Sequence, residues 1–163
     1  MPTPPMPKLV APGEGKRVTL FGVRFEYKVV TADSGGGLAM MEVEIPAKTL
    51  VKPHSHSRED EYSLIIEGTV GVRVGDRELE AGAGSYLVKP RGVPHAMWNA
   101  GDTPAKVLEI VSPAGLEGYF EALAPVLSRH DPPSAYYGLA EEYGLTLEDG
   151  WIEELERAHD VKL

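Results

Sequence analysis

The chain has 163 residues, a formal net charge of −9 and no cysteine. This length suits one domain with a substantial core. The lack of cysteine excludes disulfides and thiolate ligands, so any metal must be held by His, Asp or Glu. The negative charge repels nucleic-acid phosphates and anionic membrane surfaces, and no apolar run reaches the roughly eighteen residues of a membrane span. We therefore expect a globular protein with neither a nucleic-acid nor a membrane partner.

Residues 1–16 predict an irregular N-terminal arm. Prolines and glycines recur through this stretch and deny it regular hydrogen-bonded structure. It contains no apolar segment of the signal-peptide type, and we therefore expect the protein to be cytoplasmic.

Residues 17–112 show the pattern of many short strands separated by glycine and proline turns. The clearest strand is 38–45, in which apolar residues alternate with glutamates, as expected for one buried and one solvated face. The pair Gly75-Asp76 suits a two-residue hairpin turn, because glycine accepts positive φ without steric cost. Further β segments are predicted around 17–29, 62–66, 70–74, 86–88, 95–99 and 105–111. Strands at this spacing predict a sandwich or barrel.

Residues 113–163 predict a helical extension. Apolar residues recur every three or four positions from Leu116 to Leu127, which indicates an amphipathic helix. A second helix is predicted from Ser134 to Tyr143, with Gly144 as its stop. A third is predicted at about 148–158.

Two histidines indicate half of a metal site. His54 and His56 are two positions apart, so on an extended strand both rings project from the same face. Neutral imidazole nitrogens bind transition metals. Glu61 follows just before a predicted strand, and a hairpin could return its carboxylate to the same pocket. His95 begins another predicted strand.

These residues fall within two recognisable motifs. The first reads H-x-H-x4-E-x6-G from His54 to Gly68, and the second reads G-x5-P-x-G-x2-H-x3-N from Gly84 to Asn99. Both resemble the sequence motifs of the cupin superfamily. The family's first motif usually opens with glycine six residues before the first histidine, and this chain has Lys48 there.

The resemblance implies a mainly β fold, a cupin jelly-roll barrel spanning residues 17–112 with a C-terminal helical tail. It also implies one divalent transition metal held by His54, His56, Glu61 and His95, with Glu61 as the catalytic base. The residue types do not select among iron, manganese, nickel, cobalt, copper and zinc. The tail is also similar to that of small bacterial cupins described as quercetin-dioxygenase-like.

A predicted substrate pocket lies beside this metal. Its expected residues are Met41, Val43, Ile45, Met97 and Asn99, although an apolar lining is also what any barrel core needs. For Asn99 we favour a structural role at the strand end.

The remaining chemistry-bearing residues carry simpler interpretations. We interpret Glu59 and Asp60 as a solvated acidic turn, since only Glu61 has the motif's spacing. His130 lies in a proline loop and His159 near the end of the last helix, and we expect both to be exposed.

The leading functional hypothesis is a metal-dependent dioxygenase of the quercetin-dioxygenase-like type, acting on a small enolic or aromatic substrate. The alternatives are a non-redox isomerase, epimerase or decarboxylase that uses the metal to polarise a carbonyl, and a non-catalytic binding protein. From the fold we also expect a homodimer.

Overall fold

The computed structural model describes residues 6–163, so the first five residues of the predicted arm lie outside the described part of the chain. Short strands follow the arm, as the turn pattern predicts. A four-residue helix, α1 (Thr31–Ser34), interrupts them early. The strands are β1 (Arg17–Leu20), β2 (Val23–Val29), β3 (Ala39–Ile45), β4 (Thr49–His56), β5 (Asp60–Glu67), β6 (Thr69–Val74), β7 (Arg77–Gly82), β8 (Tyr86–Lys89), β9 (His95–Asn99) and β10 (Ala105–Ser112).

The strands form two antiparallel sheets whose inner faces share one apolar core. The six-stranded sheet has the order β1-β2-β3-β10-β5-β8, and the second sheet contains β4-β9-β6-β7. Their inward residues include Val43 and Ile65 from the first sheet and Val72 from the second. The predicted hairpin turn is confirmed, since Val74 pairs with Arg77 across Gly75-Asp76. The jelly-roll prediction is therefore confirmed.

The C-terminal region contains the three predicted helices and one strand that was not predicted. The helices are α2 (Leu116–Ser128), α3 (Pro133–Glu142) and α4 (Ile152–His159), the last preceded by a 3-10 turn at Asp149–Trp151. Between them β11 (Leu145–Leu147) pairs with β4 and makes the second sheet five-stranded. A three-residue strand is too short to show a period in the sequence. No helix within residues 6–163 is long and apolar enough to cross a membrane.

Helix α4 covers the outer face of the five-stranded sheet. Its Leu155 is fully buried in a second apolar cluster with Leu50, Ala96, Trp98 and Val161. Backbone bonds fix the segment after α4 to the start of β4: Leu50 donates to the Lys162 carbonyl, and the Lys162 N–H donates to the Lys48 carbonyl. The ligand-bearing strands β4 and β9 are therefore packed on both faces.

Candidate metal centre

A bulge in β4 decides which side chains of this strand face the barrel interior. Val51 pairs with Met97, but the next pairing joins His54 to His95, so the ladder shifts by one residue between them. Val51 faces the interior, and an uninterrupted strand would therefore turn the alternate residues 53 and 55 inward. The extra residue reverses this phase and brings His54 and His56 inward. The predicted shared face of the two histidines is confirmed, and the bulge sets its direction.

The other two predicted ligands reach the same place from two further strands. Glu61 lies on β5 of the six-stranded sheet, where Glu61 and Ser63 are buried and the intervening Tyr62 is exposed. His95 begins β9 and is 3% exposed. The centre is thus assembled between the two sheets, with three ligands from one and one from the other.

The four side chains offer ligand atoms that lie within 4.8 Å of one another. His54 Nε2 is 3.0 Å from His56 Nε2, and Glu61 Oε2 is 3.0 Å from His95 Nε2. Glu61 Oε2 and His95 Nε2 are buried and have no hydrogen-bond partner. Lone pairs facing each other at this range are repulsive unless a cation lies between them. The donor set therefore fits a transition metal, since three imidazoles and a carboxylate suit these ions.

The outer nitrogens of the histidines are oriented by oxygen atoms behind them. His54 Nδ1 is 2.7 Å from the Lys52 carbonyl, and His95 Nδ1 is 3.3 Å from the Val93 carbonyl. A carbonyl only accepts, so each Nδ1 carries the proton and each Nε2 lone pair turns toward the centre. The backbone thus sets the tautomer that a metal ligand needs.

Glu59 does the same for His56, and the prediction of a solvated residue is wrong here. Glu59 is 5% exposed, and its Oε2 lies 3.6 Å from His56 Nδ1. Its neighbour Asp60 turns away to Arg91, which contacts it at 2.7 Å. An acidic run within the first motif is expected to be solvated from the sequence, and the different environments of Glu59 and Asp60 are visible only in the fold.

The surroundings shift the pKa values of neighbouring histidines in the centre in opposite directions. Burial lowers the pKa of His54 well below its usual value, with further repulsion from the neighbouring His95 and His56. Burial also lowers the pKa of His56, but the carboxylates of Glu59 and Glu61, at 3.6 and 3.5 Å from its ring nitrogens, outweigh burial and raise the value to about 9.

A second buried charge cluster adjoins Glu61. Lys89 Nζ lies 3.3 Å from Glu61 Oε2 and 3.0 Å from both carboxylate oxygens of Glu109. Burial alone would raise the pKa of Glu61, but the Lys89 ammonium and the neighbouring histidines hold it well below its usual range. Burial raises the pKa of Glu109, against the opposing effect of Lys89. Glu61 is thus held ionised.

A cavity of about 100 Å³ lies against the centre inside the barrel. His54, Glu61 and His95 form part of its wall, and the rest is mostly apolar. Helix α2 covers one side with Tyr119 and Phe120. Further wall residues come from β1, β2, β11 and the turn between β1 and β2: Leu20, Phe21, Val23, Phe25, Leu145 and Leu147.

Three of the five predicted pocket residues line this cavity, and two do not. Val43, Ile45 and Met97 form part of the wall. Met41 is 1% exposed and lies in the core away from the wall. Asn99 is occupied at the strand end: its amide donates to the Ile45 and Thr103 carbonyls, and its oxygen accepts from Gly101 N–H. These contacts agree with the structural role at the strand end that we favoured for Asn99.

The remaining histidines lie outside the centre. His130 is exposed, as predicted. His159 is not: its ring stacks on Trp98 at 4.2 Å and its Nε2 lies 3.2 Å from Glu78. The helix end is packed on the sheet, which the sequence did not indicate.

Comparison with known proteins agrees with this architecture. Residues 41–111 match the family model of the cupin domain. A germin-like protein, subfamily T member 2 of Arabidopsis thaliana, is 36% identical over 77 residues, which are 44% of this chain and 35% of that protein. The tetracenomycin polyketide synthase protein TcmJ of Streptomyces glaucescens is 34% identical over 71 residues, 44% of this chain and 48% of that protein. The match thus spans less than half the length of either relative.

A solved structure shows the same fold over a larger part of the chain. The polyketide cyclase RemF of Streptomyces resistomycificus aligns with a TM-score of 0.59 and 24% identity, covering 66% of this chain and 80% of that one. The family match, the two facing antiparallel sheets and the three histidines and glutamate converging between them lead to one conclusion: residues 41–111 of this chain are a cupin domain.

Proposed function

We propose that this chain is an enzyme that holds one divalent transition metal through His54, His56, Glu61 and His95 and converts a small organic substrate. The observation that carries the proposal is the convergence of four ligand atoms at the wall of a largely apolar cavity. Four protein ligands leave two positions on a six-coordinate ion for substrate or a second reactant. Concave apolar sites with a few convergent polar groups are the usual form of small-molecule sites.

The cavity volume narrows the class of substrate. A dry apolar cavity of about 150 Å³ accommodates benzene, and the cavity here measures about 100 Å³. We therefore propose a substrate no larger than a small enolic compound or a single ring. A three-ring flavonol would require Tyr119 and Phe120 of α2 to move away from the wall.

The reaction that we propose is dioxygenation. A redox-active metal, when bound, supplies electron transfer and Lewis acidity. Glu61 is held as a carboxylate by Lys89 and the neighbouring histidines, so it is available to accept the hydroxyl proton of an enolic substrate. Leu20, Val43 and Phe120 exclude water from the reacting groups, and an apolar wall of this kind also favours entry of dioxygen, itself an apolar molecule.

Two relatives favour a second candidate without a redox step. TcmJ is named as a polyketide synthase protein and RemF as a polyketide cyclase. The same ligands could hold zinc to polarise a carbonyl while a residue of the wall moves a proton. A cyclisation, isomerisation or decarboxylation would then proceed without oxygen.

Metal content tests the shared part of both candidates. Protein purified without a histidine tag or added metal is analysed by elemental mass spectrometry, beside His54→Ala/His95→Ala and a control, His130→Ala, which removes an exposed histidine. We expect about one transition metal per chain in the wild type and the control, and none in the double variant. Equal metal in all three proteins, or no metal in any after reconstitution, would exclude the centre.

Turnover with and without oxygen separates the two reactions. The metal-loaded protein is supplied with small enediols and single-ring catechols while oxygen is followed by electrode. We expect stoichiometric oxygen consumption with iron, manganese, nickel, cobalt or copper. Turnover that continues anaerobically with zinc would instead support the non-redox candidate.

A further inference from the structure

Lys89 and Glu109 are buried inside the barrel beside the metal centre, although neither belongs to its ligand set. They are 3% and 6% exposed and both line the cavity. They come from β8 and β10, the two strands that flank β5 in the sheet, and face each other across it. Ser63 of β5 donates to Glu109 Oε2 at 2.8 Å and fixes the carboxylate. The pair is thus locked in place directly behind Glu61.

The Lys89 ammonium contacts the same oxygen that faces the histidine ligands. Nζ lies 3.3 Å from Glu61 Oε2, and that oxygen lies 3.0 Å from His95 Nε2 and 3.5 Å from His56 Nε2. A metal ion bound by these atoms would therefore sit within a few ångströms of a buried positive charge. In a protein interior, like charges at this range repel strongly.

Glu109 opposes that repulsion. Both of its carboxylate oxygens contact Lys89 Nζ at 3.0 Å, so its negative charge offsets the positive charge of the ammonium. Buried ion pairs are often no more stabilising than apolar side chains of the same volume. A role in fold stability alone therefore accounts poorly for the pair.

We propose that the Lys89–Glu109 pair sets the metal affinity of this centre: Lys89 weakens metal binding by competing for Glu61, and Glu109 restores it by neutralising Lys89. Both are positioning residues that act through Glu61. The inference rests on the proposed metal binding at His54, His56, Glu61 and His95. It assigns a function to two side chains that neither sequence motif specifies, since Lys89 occupies a variable position of the second motif and Glu109 lies beyond it.

A double-mutant cycle on the folded full chain tests the pair. Zn²⁺ affinity is measured by competition with a chromophoric chelator for the wild type, Lys89→Met, Glu109→Gln and Lys89→Met/Glu109→Gln. All are compared at one pH of about 8, because metal affinity depends on pH. Circular dichroism establishes that each variant is folded, and each single variant tests the proposal without the other.

The expected result is a change of opposite sign in the two single variants. In Glu109→Gln, Glu61 is the one charged partner left to Lys89, and we expect Zn²⁺ binding to weaken by about tenfold or more. In Lys89→Met this competition is removed, and Zn²⁺ binding should strengthen by about tenfold or more. The double variant lies within about threefold of the wild type, because the two charge changes offset each other. The exposed pair Lys106–Glu67, which joins β10 to β5 at 3.4 Å, supplies a matched control cycle with no change.

Three results would overturn the proposal. If both single variants weaken Zn²⁺ binding, the pair acts only as a structural element. If neither changes the affinity of a wild type that binds Zn²⁺, the pair is not coupled to the centre and the proposed metal site stands. If the wild type itself binds no Zn²⁺, the proposed metal site fails and this inference fails with it.

Discussion

The two sheets of the barrel differ in what covers their outer faces. On the five-stranded sheet, α4 buries Leu50 and Trp98 to 0% and 3% exposure. On the six-stranded sheet, Tyr86 and Val88 of β8 remain 79% and 62% exposed among the described residues. Three of the four candidate ligands lie on the covered sheet, and Glu61 lies on the other. The histidines thus belong to strands packed on both faces, while the carboxylate belongs to a sheet whose outer face is open at β8.

Weakening the packing of α4 on the five-stranded sheet should produce the largest loss of stability. Leu155→Ala empties a fully buried position of the outer cluster, and we expect it to lower the free energy of unfolding by about 2–5 kcal/mol, measured by urea denaturation. Thr19→Ala, at an exposed position of β1 in the open sheet, is the control and should change it by less than about 0.5 kcal/mol. Similar losses in the two variants would show that the sheets do not differ in packing.

Glu59, in the loop between β4 and β5, allows a test at the candidate metal centre itself. Glu59→Gln removes the negative charge behind His56 Nδ1, and we expect metal affinity to fall by about 10- to 100-fold because a carboxylate at this position raises the basicity of the ring. Chelator competition measures this. Asp60→Asn is the adjacent control and should retain wild-type affinity, since Asp60 pairs with Arg91 outside the centre. Unchanged affinity in Glu59→Gln would remove Glu59 from the site.

Lys48 stands where the family's motif usually has glycine, just before β4. Substituting it tests the backbone conformation at this position. Its φ is 58°, in the left-handed region where glycine is favoured, and Nζ donates to the Ala100 carbonyl. We expect Lys48→Gly to be more stable than Lys48→Ala by about 1 kcal/mol in thermal or urea unfolding, because alanine retains the strained Cβ. Both variants lose the side-chain contact, so the comparison isolates the backbone. Equal stability would show that the position is unstrained.

The smallest expected effect on folding comes from the open sheet. We expect the homodimer predicted from the sequence to form through the exposed outer face of the six-stranded sheet. Tyr86→Ser/Val88→Ser should therefore convert dimer to monomer in analytical sedimentation, with little loss of monomer stability. Leu79→Ser, at an exposed position of β7 in the covered sheet, is the control. A wild-type monomer, or a dimer that persists in the double variant, would contradict this.

The ligands could be found from the sequence because their signal is local. His54 and His56 share a strand face by spacing alone, and Glu61 and His95 sit at fixed distances within the two motifs. The direction of that face could not be found, because the bulge after Val51 exists only through the pairing of β4 with β9. Glu59 was missed for the same reason, since its burial depends on the fold around the loop.

The buried position of Glu109 could have been predicted from the sequence. Glu109 stands between Leu108 and Ile110, in phase with the fully buried Val107 and Val111. A lone carboxylate on the inward phase of an apolar strand indicates either a partner or a function. Its partner Lys89 lies twenty residues away along the chain, and only the sheet order β10-β5-β8 brings the two together.

The pairing of β11 with β4 has a consequence for the order in which the site is made. Leu145 and Leu147 pair with His56 and His54, yet they follow the last ligand, His95, by some fifty residues of chain. All four candidate ligands therefore precede α2 and β11, which form part of the cavity wall, in the order of synthesis. A chain that ended before β11 would carry the complete candidate ligand set but lack part of its cavity wall, so the residues that could bind an ion and those that enclose the cavity are separable along the chain.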